Sequence, residues 1–358
     1  MNLGVFLAIG ESFKDFKEKG QDKLLLNYNL KTYSQNFDKV YVFSYEKERY
    51  IYFNNVIFLP NKYSLHRYIY SLILPLFYLK EIASCEVFRG LQITGGLPAI
   101  LIKILFRKRI VVNYGYPYIK VALLEGKKIQ AFLYKIIEKV IMAFCDKVIV
   151  TTSEIKKYLG NNKKIVLIPN GVNTGLFKSL KRKKLFSVIY VGRLEKQKNL
   201  KLLLNAVSLL EKKNRKVLFI GHGSQKENLL RLAKEKEIEL KILDRVSHNR
   251  LPEFYNQAEM FILPSLIEGH PKALLEALSC GVPCIANDIE AVKSIIQDKK
   301  NGLIFDRTSN SLKKKISLIL KNRKLAQKLG KEGRKTIVKS YDYKILIKNE
   351  IKLLKQDL

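Results

Sequence analysis

The stretch PSLIEGHPKALLEALSCGVPCIA, Pro264 to Ala286, decides how the rest of the chain is read. Met260 to Pro264, MFILP, reads as a short buried strand, and Pro271 stands where a helix begins, because a first turn has no use for the missing N–H. Ala273, Leu274, Leu275, Ala277 and Leu278 then make an apolar helical run, and Gly281 ahead of Val282 and Pro283 stops it. The order is strand, loop, short helix. The N-terminus of such a helix carries unpaired N–H groups and a partial positive charge, which suits the phosphate or hydroxyl oxygens of an anionic ligand. Two acids frame it: Glu268 in the loop and, after seven intervening residues, Glu276 inside the helix. That separation fits two parts of one extended ligand better than a carboxylate pair working on one reacting centre. Taken singly, each acid reads as a solvated surface charge.

At 358 residues the chain is too long for one core of ordinary size, so two domains are expected. Hydrophobic residues at 47% against charged residues at 27% are a globular composition and exclude a disordered chain. Lys and Arg number 66 against 32 Asp and Glu, a formal net charge of +34, which asks for an anionic partner. No nucleic-acid module signature is present and the lysines are spread along the chain, so a membrane surface or phosphorylated substrates are expected, and no nucleic acid. Cys85, Cys145, Cys280 and Cys284 form no CxxC pair, so no zinc site is expected and the thiols read as small core residues. Asn2 to Gly10 runs directly into a strand pattern rather than a signal peptide, so reduced thiols and a cytoplasmic location are expected. Tyr68 to Leu79, the most hydrophobic segment, is shorter than the ~20 residues of a spanning helix and contains Pro75. It reads as a core helix, in preference to a membrane-dipping face with Tyr68, Tyr70 and Tyr78 at the interface.

Taken in order, the chain alternates. Strands are expected at Leu3 to Ile9, Val40 to Ser44, Val56 to Leu59, Glu86 to Phe88, Ile110 to Val112, Lys147 to Thr151 and Ile165 to Ile168, with helices mostly between them. The clearest of these helices, Ala131 to Phe144, puts Phe132, Ile136, Val140 and Ala143 near one apolar face. PNGVNTGLF, Pro169 to Phe177, is a turn-rich break followed by the basic run Lys178 to Lys184. A second series follows: strands at Phe186 to Val191, Val217 to Ile220, Leu240 to Leu243, the opening stretch, Val282 to Ala286 and Leu303 to Phe305, and a last amphipathic helix from Tyr341 to Leu354. The expected domains are 1–177, 178–340 and a C-terminal helix, 341–358, that packs back on the first domain. Ligands of open parallel sheets sit outside the carboxyl ends of the strands. Gly10, the Gly192–Arg193 pair, the Gly221 and Gly223 pair, and Glu268 all hold that position.

Within GRLEKQKN, Arg193 and Lys198 straddle a strand-to-helix loop, and two cations there suit a diphosphate leaving group without a metal. Neither a complete GxGxxG fingerprint nor a GxxxxGK[ST] loop exists. PNGV at Pro169, GRLEKQKN at Gly192, GHGS at Gly221 and PSLIEGHPKALLEALSCGVP at Pro264, in this order and spacing, resemble the retaining glycosyltransferases of family 4, within the glycosyl transferases group 1. The resemblance covers the C-terminal half strongly and the N-terminal half through its βα order. It implies the GT-B fold, an α/β architecture of two Rossmann-like doubly wound domains facing a central cleft. The N-terminal domain would take the acceptor and the C-terminal one the nucleotide-sugar donor.

The resemblance also implies roles for residues. Arg193 and Lys198 would hold the donor diphosphate, Glu268 would face the donor sugar, and Glu276 would accept hydrogen bonds from the ribose. Backbone groups of Gly269, His270, Pro271, Lys272, Ala273 and Leu274 would line sugar and phosphate, with Gly10 and Gly192 in the facing loops and main chain near Val246 at the base. No metal or cofactor is implied; the donor would be a UDP-sugar or GDP-sugar. Where the family often carries a His after the strand Ile110 to Val112, this chain reads NYGYPY, which leaves Asn113, Tyr114 and Tyr116 as acceptor-side candidates and no named base. Asn173 and Ala291 replace a usual Asp and Gly. In a front-face retaining reaction the leaving phosphate itself can take the acceptor proton. The expected function is thus hexosyl transfer with retention onto a lipid-linked or polysaccharide acceptor in cell-envelope glycan biosynthesis, peripheral on the inner face of the membrane. The alternatives are another GT-B enzyme, such as a nucleotide-sugar epimerase, a non-catalytic donor-binding subunit, or a polyanion-binding protein.

Overall fold

In the computed structural model, which describes residues 1–9, 11–18, 25–48, 50–63, 65–160 and 162–356, the apolar runs become parallel strands in two separate sheets. Such runs are nearly continuous, rather than alternating, because a parallel sheet is covered by helices on both faces. The chain divides into two units, Met1–Pro169 with Leu346 onward, and Asn170–Ile345.

The first unit holds β1 (Asn2–Phe6), β2 (Lys39–Phe43), β3 (Val56–Leu59), β4 (Val87–Gly90), β5 (Arg109–Tyr114), β6 (Lys147–Val150) and β7 (Ile165–Leu167). They pair in the order β3-β2-β1-β4-β5-β6-β7, every pair parallel. Phe6, Phe43 and Phe88 stack across β2, β1 and β4 at the centre of this core. The expected strands are all present, with ends shifted by a few residues. Gly10 lies outside the described residues.

The helices of this unit depart from expectation where an apolar stripe finds no partner. Lys128–Phe144 is a helix, yet only Ala131 and Ile141 are buried in it, and Phe132 and Ile136 face solvent. The face read as core is therefore outside. Tyr68–Leu79 breaks into helix Arg67–Ile73 and a 3-10 turn Leu74–Phe77, where Pro75 interrupts the α pattern. Tyr70, Leu74 and Tyr78 are core, and both tyrosine hydroxyls donate to Pro60 O, whereas Tyr68, Ile69, Leu72 and Leu76 are exposed.

The second unit holds β8 (Phe186–Val191), β9 (Lys216–Ile220), β10 (Glu239–Leu243), β11 (Ala258–Leu263), β12 (Cys284–Asn287) and β13 (Leu303–Phe305), paired β10-β9-β8-β11-β12-β13, again all parallel. Both sheets are therefore doubly wound and Rossmann-like, each reversing its winding direction once, between β1 and β4 and between β8 and β11. From Asn170 on, the PNGV turn belongs to the second unit: Val172 N donates to Tyr341 O and Val172 O accepts from Tyr343 N, at 2.9 Å each. The division falls after Pro169, at the start of the break read from Pro169 to Phe177 and eight residues before the expected end of the first domain at Phe177.

From Leu346 the last helix, Tyr343–Lys355, is grouped with the first unit and buries Leu346, Ile347, Ile351, Leu353 and Leu354 there. Glu350 is the polar centre of that contact. Its Oε1 accepts from Arg89 Nε at 2.9 Å and from Tyr33 OH at 2.5 Å, and Arg89 also donates to Gly90 O at 2.7 Å. Burial opposes the Arg89 charge, and Glu350 and Tyr33 together outweigh it; burial and then Glu350 push the Tyr33 phenol well up, so it stays a donor. Removing Glu350 leaves a buried guanidinium without its counter-charge, a loss of about 3–5 kcal/mol. Glu350→Ala should lower the unfolding free energy by that order in urea titrations, whereas a change under about 1 kcal/mol would show that water reaches Arg89.

Candidate active site

Loops that follow β8 and β11 flank the winding reversal of the second sheet, the place where an open α/β sheet leaves a crevice beyond its strand ends. After β8 come Gly192 and Arg193, a 3-10 turn Lys196–Lys198, and Asn199 in the left-handed region, from which helix Leu200–Ser208 departs. After β11 the chain runs through Glu268 to helix Lys272–Ser279. The two loops are tied by backbone, with Leu266 N donating to Gln197 O at 2.9 Å, and by charge, with Lys198 Nζ donating to Glu268 Oε1 at 2.5 Å. Both side chains are a tenth or less exposed, so the pair lies in a medium where its attraction is strong. An ammonium has three protons, and this contact uses one.

GHGS does its work by close approach. A Cβ on Gly221 would lie 1.9 Å from Gly192 O, and one on Gly223 would lie 2.5 Å from Leu194 O. With no side chains there, Leu194 N donates to His222 O and Gln225 N to Leu194 O, while Glu195 accepts from Ser224 N and Oγ. The loop after β9 is thereby welded to the one carrying Arg193 and Lys198.

Helix Lys272–Ser279 begins one residue later than the sequence indicated, with Pro271 as its extended N-cap and no side chain capping that end. Its C-terminus is closed by Arg334, which donates to Ser279 O and Phe177 O. Leu274, Leu275, Ala277 and Leu278 enter the core, and Glu276 is 7% exposed. Both Glu276 oxygens are engaged: His248 Nε2 lies 2.9 Å from Oε1, and Tyr255 OH donates to Oε2 at 2.9 Å. Burial and then the Glu276 charge push the Tyr255 phenol well up, which keeps it a donor. Each carboxylate oxygen has a second lone pair, so Glu276 can still accept from a diol. The two acids thus have different partners, Lys198 for Glu268 and the His248–Tyr255 pair for Glu276.

His248 and Tyr255 were missed as site residues in the sequence. His248 opens a 3-10 turn just after the loop with half-buried Val246, and Pro252 lies in the first turn of helix Leu251–Asn256, whose period buries Leu251 and Tyr255 together. The proline start and that spacing were the available signal. Among the other expected residues, Gly269 and Pro271 are buried, Ala273 is half-buried, and the Arg193 and Lys272 side chains reach solvent. Arg193 O accepts from Tyr190 OH at 3.0 Å; burial and then the nearby Glu268 charge hold that phenol protonated.

In the first unit, Asn113 is half-buried at the end of β5 and the Tyr116 ring packs edge-on to Tyr118. Tyr114 is turned inward, with its hydroxyl donating to Glu138 at 2.6 Å, and Tyr158 shares that carboxylate. Among the described residues, no three His, Cys, Asp or Glu side chains gather as metal ligands.

His270 is buried, with its carbonyl accepting from Asn170 of PNGV at 2.9 Å and its Nδ1 without a hydrogen-bond partner. Burial, and secondarily the Lys272 charge, push its pKa down to about 3. The unfolded chain, titrating near 6.5, binds the proton more readily, so His270 stabilises the fold above about pH 6.5 and that contribution drains away as pH falls toward about 3. Between pH 7 and about 4.5 the protein should lose about 2–3 kcal/mol that His270→Gln does not lose, read from urea unfolding at both pH values. Equal losses in the two proteins would mean that His270 accepts a proton without cost.

Residues 173–336 match the family model described as glycosyl transferases group 1. Among curated relatives, an N-acetylgalactosamine-N,N'-diacetylbacillosaminyl-diphospho-undecaprenol 4-alpha-N-acetylgalactosaminyltransferase of Campylobacter jejuni is 30% identical over 169 residues, 47% of this chain and 46% of that one. The chain spans about half the length of the curated relatives it matches. Among solved structures, sucrose-phosphate synthase from Thermosynechococcus elongatus superposes with a TM-score of 0.81 over 99% of this chain and 98% of that one, at 16% identity. HepE of Anabaena in complex with UDP-glucose gives 0.76 over 100% and 99%, at 13% identity. At such identities the structures establish the fold, which is the two-domain GT-B type. From Asn173 to Thr336, the segment that contains the Lys198–Glu268 pair and the Glu276 helix, this chain carries the signature of the glycosyl transferases group 1.

Proposed function

We propose that the protein is a retaining, metal-independent glycosyltransferase of family 4 that moves a hexose from a UDP-sugar or GDP-sugar to a lipid-linked or polysaccharide acceptor. The observation that carries this reading is the Lys198–Glu268 pair beside the uncapped end of helix Lys272–Ser279. The two spare Lys198 protons and the helix N–H groups offer donors to a diphosphate, and Arg193 adds an exposed cation from the same loop. Glu268 accepts from a sugar hydroxyl, and Glu276, oriented by His248 and Tyr255, accepts from the ribose. Two anionic groups with separate partners suit recognition of two ends of one donor.

In the reaction, the anomeric carbon–oxygen bond to the diphosphate breaks and a bond from that carbon to an acceptor hydroxyl forms. The hydroxyl proton passes to the departing phosphate oxygen, which accounts for a site without a dedicated histidine base. Arg193, Lys198 and the helix terminus stabilise the charge that grows on the leaving group, the term that dominates most such transfers. The UDP-glucose complex of HepE supports a uridine donor, and the name of the Campylobacter relative supports an acceptor carried on a diphospho-lipid. The net charge of +34 supports work at an anionic membrane, on its cytoplasmic face, in cell-envelope glycan synthesis. The first domain is assigned the acceptor, with Asn113 and Tyr116 at the end of β5.

Nucleotide release from UDP- and GDP-sugars in the presence of lipid-linked acceptors tests the proposal. Lys198→Ala and Glu276→Ala should each lower kcat/KM by at least about 100-fold with the fold intact, and EDTA should have no effect. Full activity in both variants would remove the donor-site assignment. Donor turnover to an epimer without acceptor would favour an epimerase, and an inverted anomeric product would end the retaining assignment.

A further inference from the structure

The first unit carries a layer of helices whose outer side is apolar. Helix Arg67–Ile73 packs on helix Leu97–Phe106, which packs on Lys128–Phe144, and helix Tyr118–Leu124 packs beside the last. Exposed along this layer are Ile69, Leu72, Ile104, Ile129, Phe132 and Leu133, with Ile129 at 80% and Phe132 at 63%. Scattered exposed apolar residues are ordinary; a run over adjoining helices marks a surface with a partner.

Charge selects the partner. Between Leu97 and Phe144 the sequence carries nine Lys and Arg against two Glu, and Lys128, Lys135 and Lys139 of the outer helix are exposed. A second copy of the chain would set the same cations against themselves. An anionic bilayer accepts both features, taking the large side chains below its headgroups while lysines lie along the surface and reach phosphates. Among the described residues no helix is long and apolar enough to cross a membrane, so contact is from one side.

We propose that the outer face of helices Arg67–Ile73, Leu97–Phe106 and Lys128–Phe144 docks on an anionic lipid bilayer, with Ile129 and Phe132 inserted at the acyl boundary. This deepens the membrane placement given above and is independent of the donor chemistry.

The chain contains no tryptophan, so Phe132→Trp creates a single reporter at the proposed point of entry. Its emission is followed on adding vesicles of phosphatidylglycerol, vesicles of phosphatidylcholine, and phosphatidylglycerol vesicles with brominated acyl chains. The expected result is a blue shift with the anionic vesicles and quenching by the brominated ones. A further Ile129→Asp and Leu133→Asp pair in the same protein, at positions already exposed and so harmless to folding, should weaken vesicle binding at least about tenfold. No spectral change with lipid, or a concentration-dependent blue shift without lipid, which would signal a second copy on this face, would overturn the proposal. So would undiminished binding by the aspartate variant. No turnover is read, so a failed donor assignment leaves this outcome unaffected, and the reverse also holds.

Discussion

An ammonium and a carboxylate 2.5 Å apart, Lys198 and Glu268, bridge the point where the second sheet reverses its winding. A largely buried ion pair repays its desolvation only when its geometry is held from outside. Here the holding is visible: the Leu266–Gln197 backbone bond fixes the spacing of the two loops, and the glycine contacts beneath Gly192 and Leu194 fix the height of one of them. The pair in turn sets where the Lys198 protons point and how the chain enters helix Lys272–Ser279.

That constraint propagates along the helix. Its first turn is left open, its last turn is closed by Arg334, and its middle presents Glu276 to His248 and Tyr255. An acid on a buried helical face is expensive unless hydrogen-bonded, and both of its oxygens are. The site is therefore preorganised from rigid elements: two strand ends, one short helix, and a histidine and a tyrosine brought from the 3-10 turn and the helix that follow β10.

Much of this was legible in the sequence, for definite reasons. Strands buried on both faces leave continuous apolar runs, so the seven runs of the first sheet and six of the second could be read directly. The loops with Arg193, Lys198 and Glu268 follow strand ends, and winding order then places them side by side. Helical burial was less legible, because periodicity marks an apolar stripe without saying what covers it; Phe132 and Ile136 look like core in one dimension and face solvent in three. His248 and Tyr255 were missed for a different reason: local spacing marks Tyr255 as buried, but their importance lies in meeting Glu276 across 28 and 21 residues of chain. Tyr114 illustrates the same gap: its hydroxyl is committed to Glu138 by a helix whose docking no local pattern records.

The central claim is that the β8–β11 switch point binds a nucleoside diphosphate through Lys198. Calorimetric titration of the wild-type protein and Lys198→Ala with UDP and with uridine tests it most directly, because the two ligands differ only in the diphosphate. UDP should bind the wild type at least about tenfold more tightly than uridine, and the substitution should erase most of that preference while leaving uridine binding unchanged. Equal affinities for UDP and uridine in the wild type, or a UDP preference untouched by Lys198→Ala, would contradict the account.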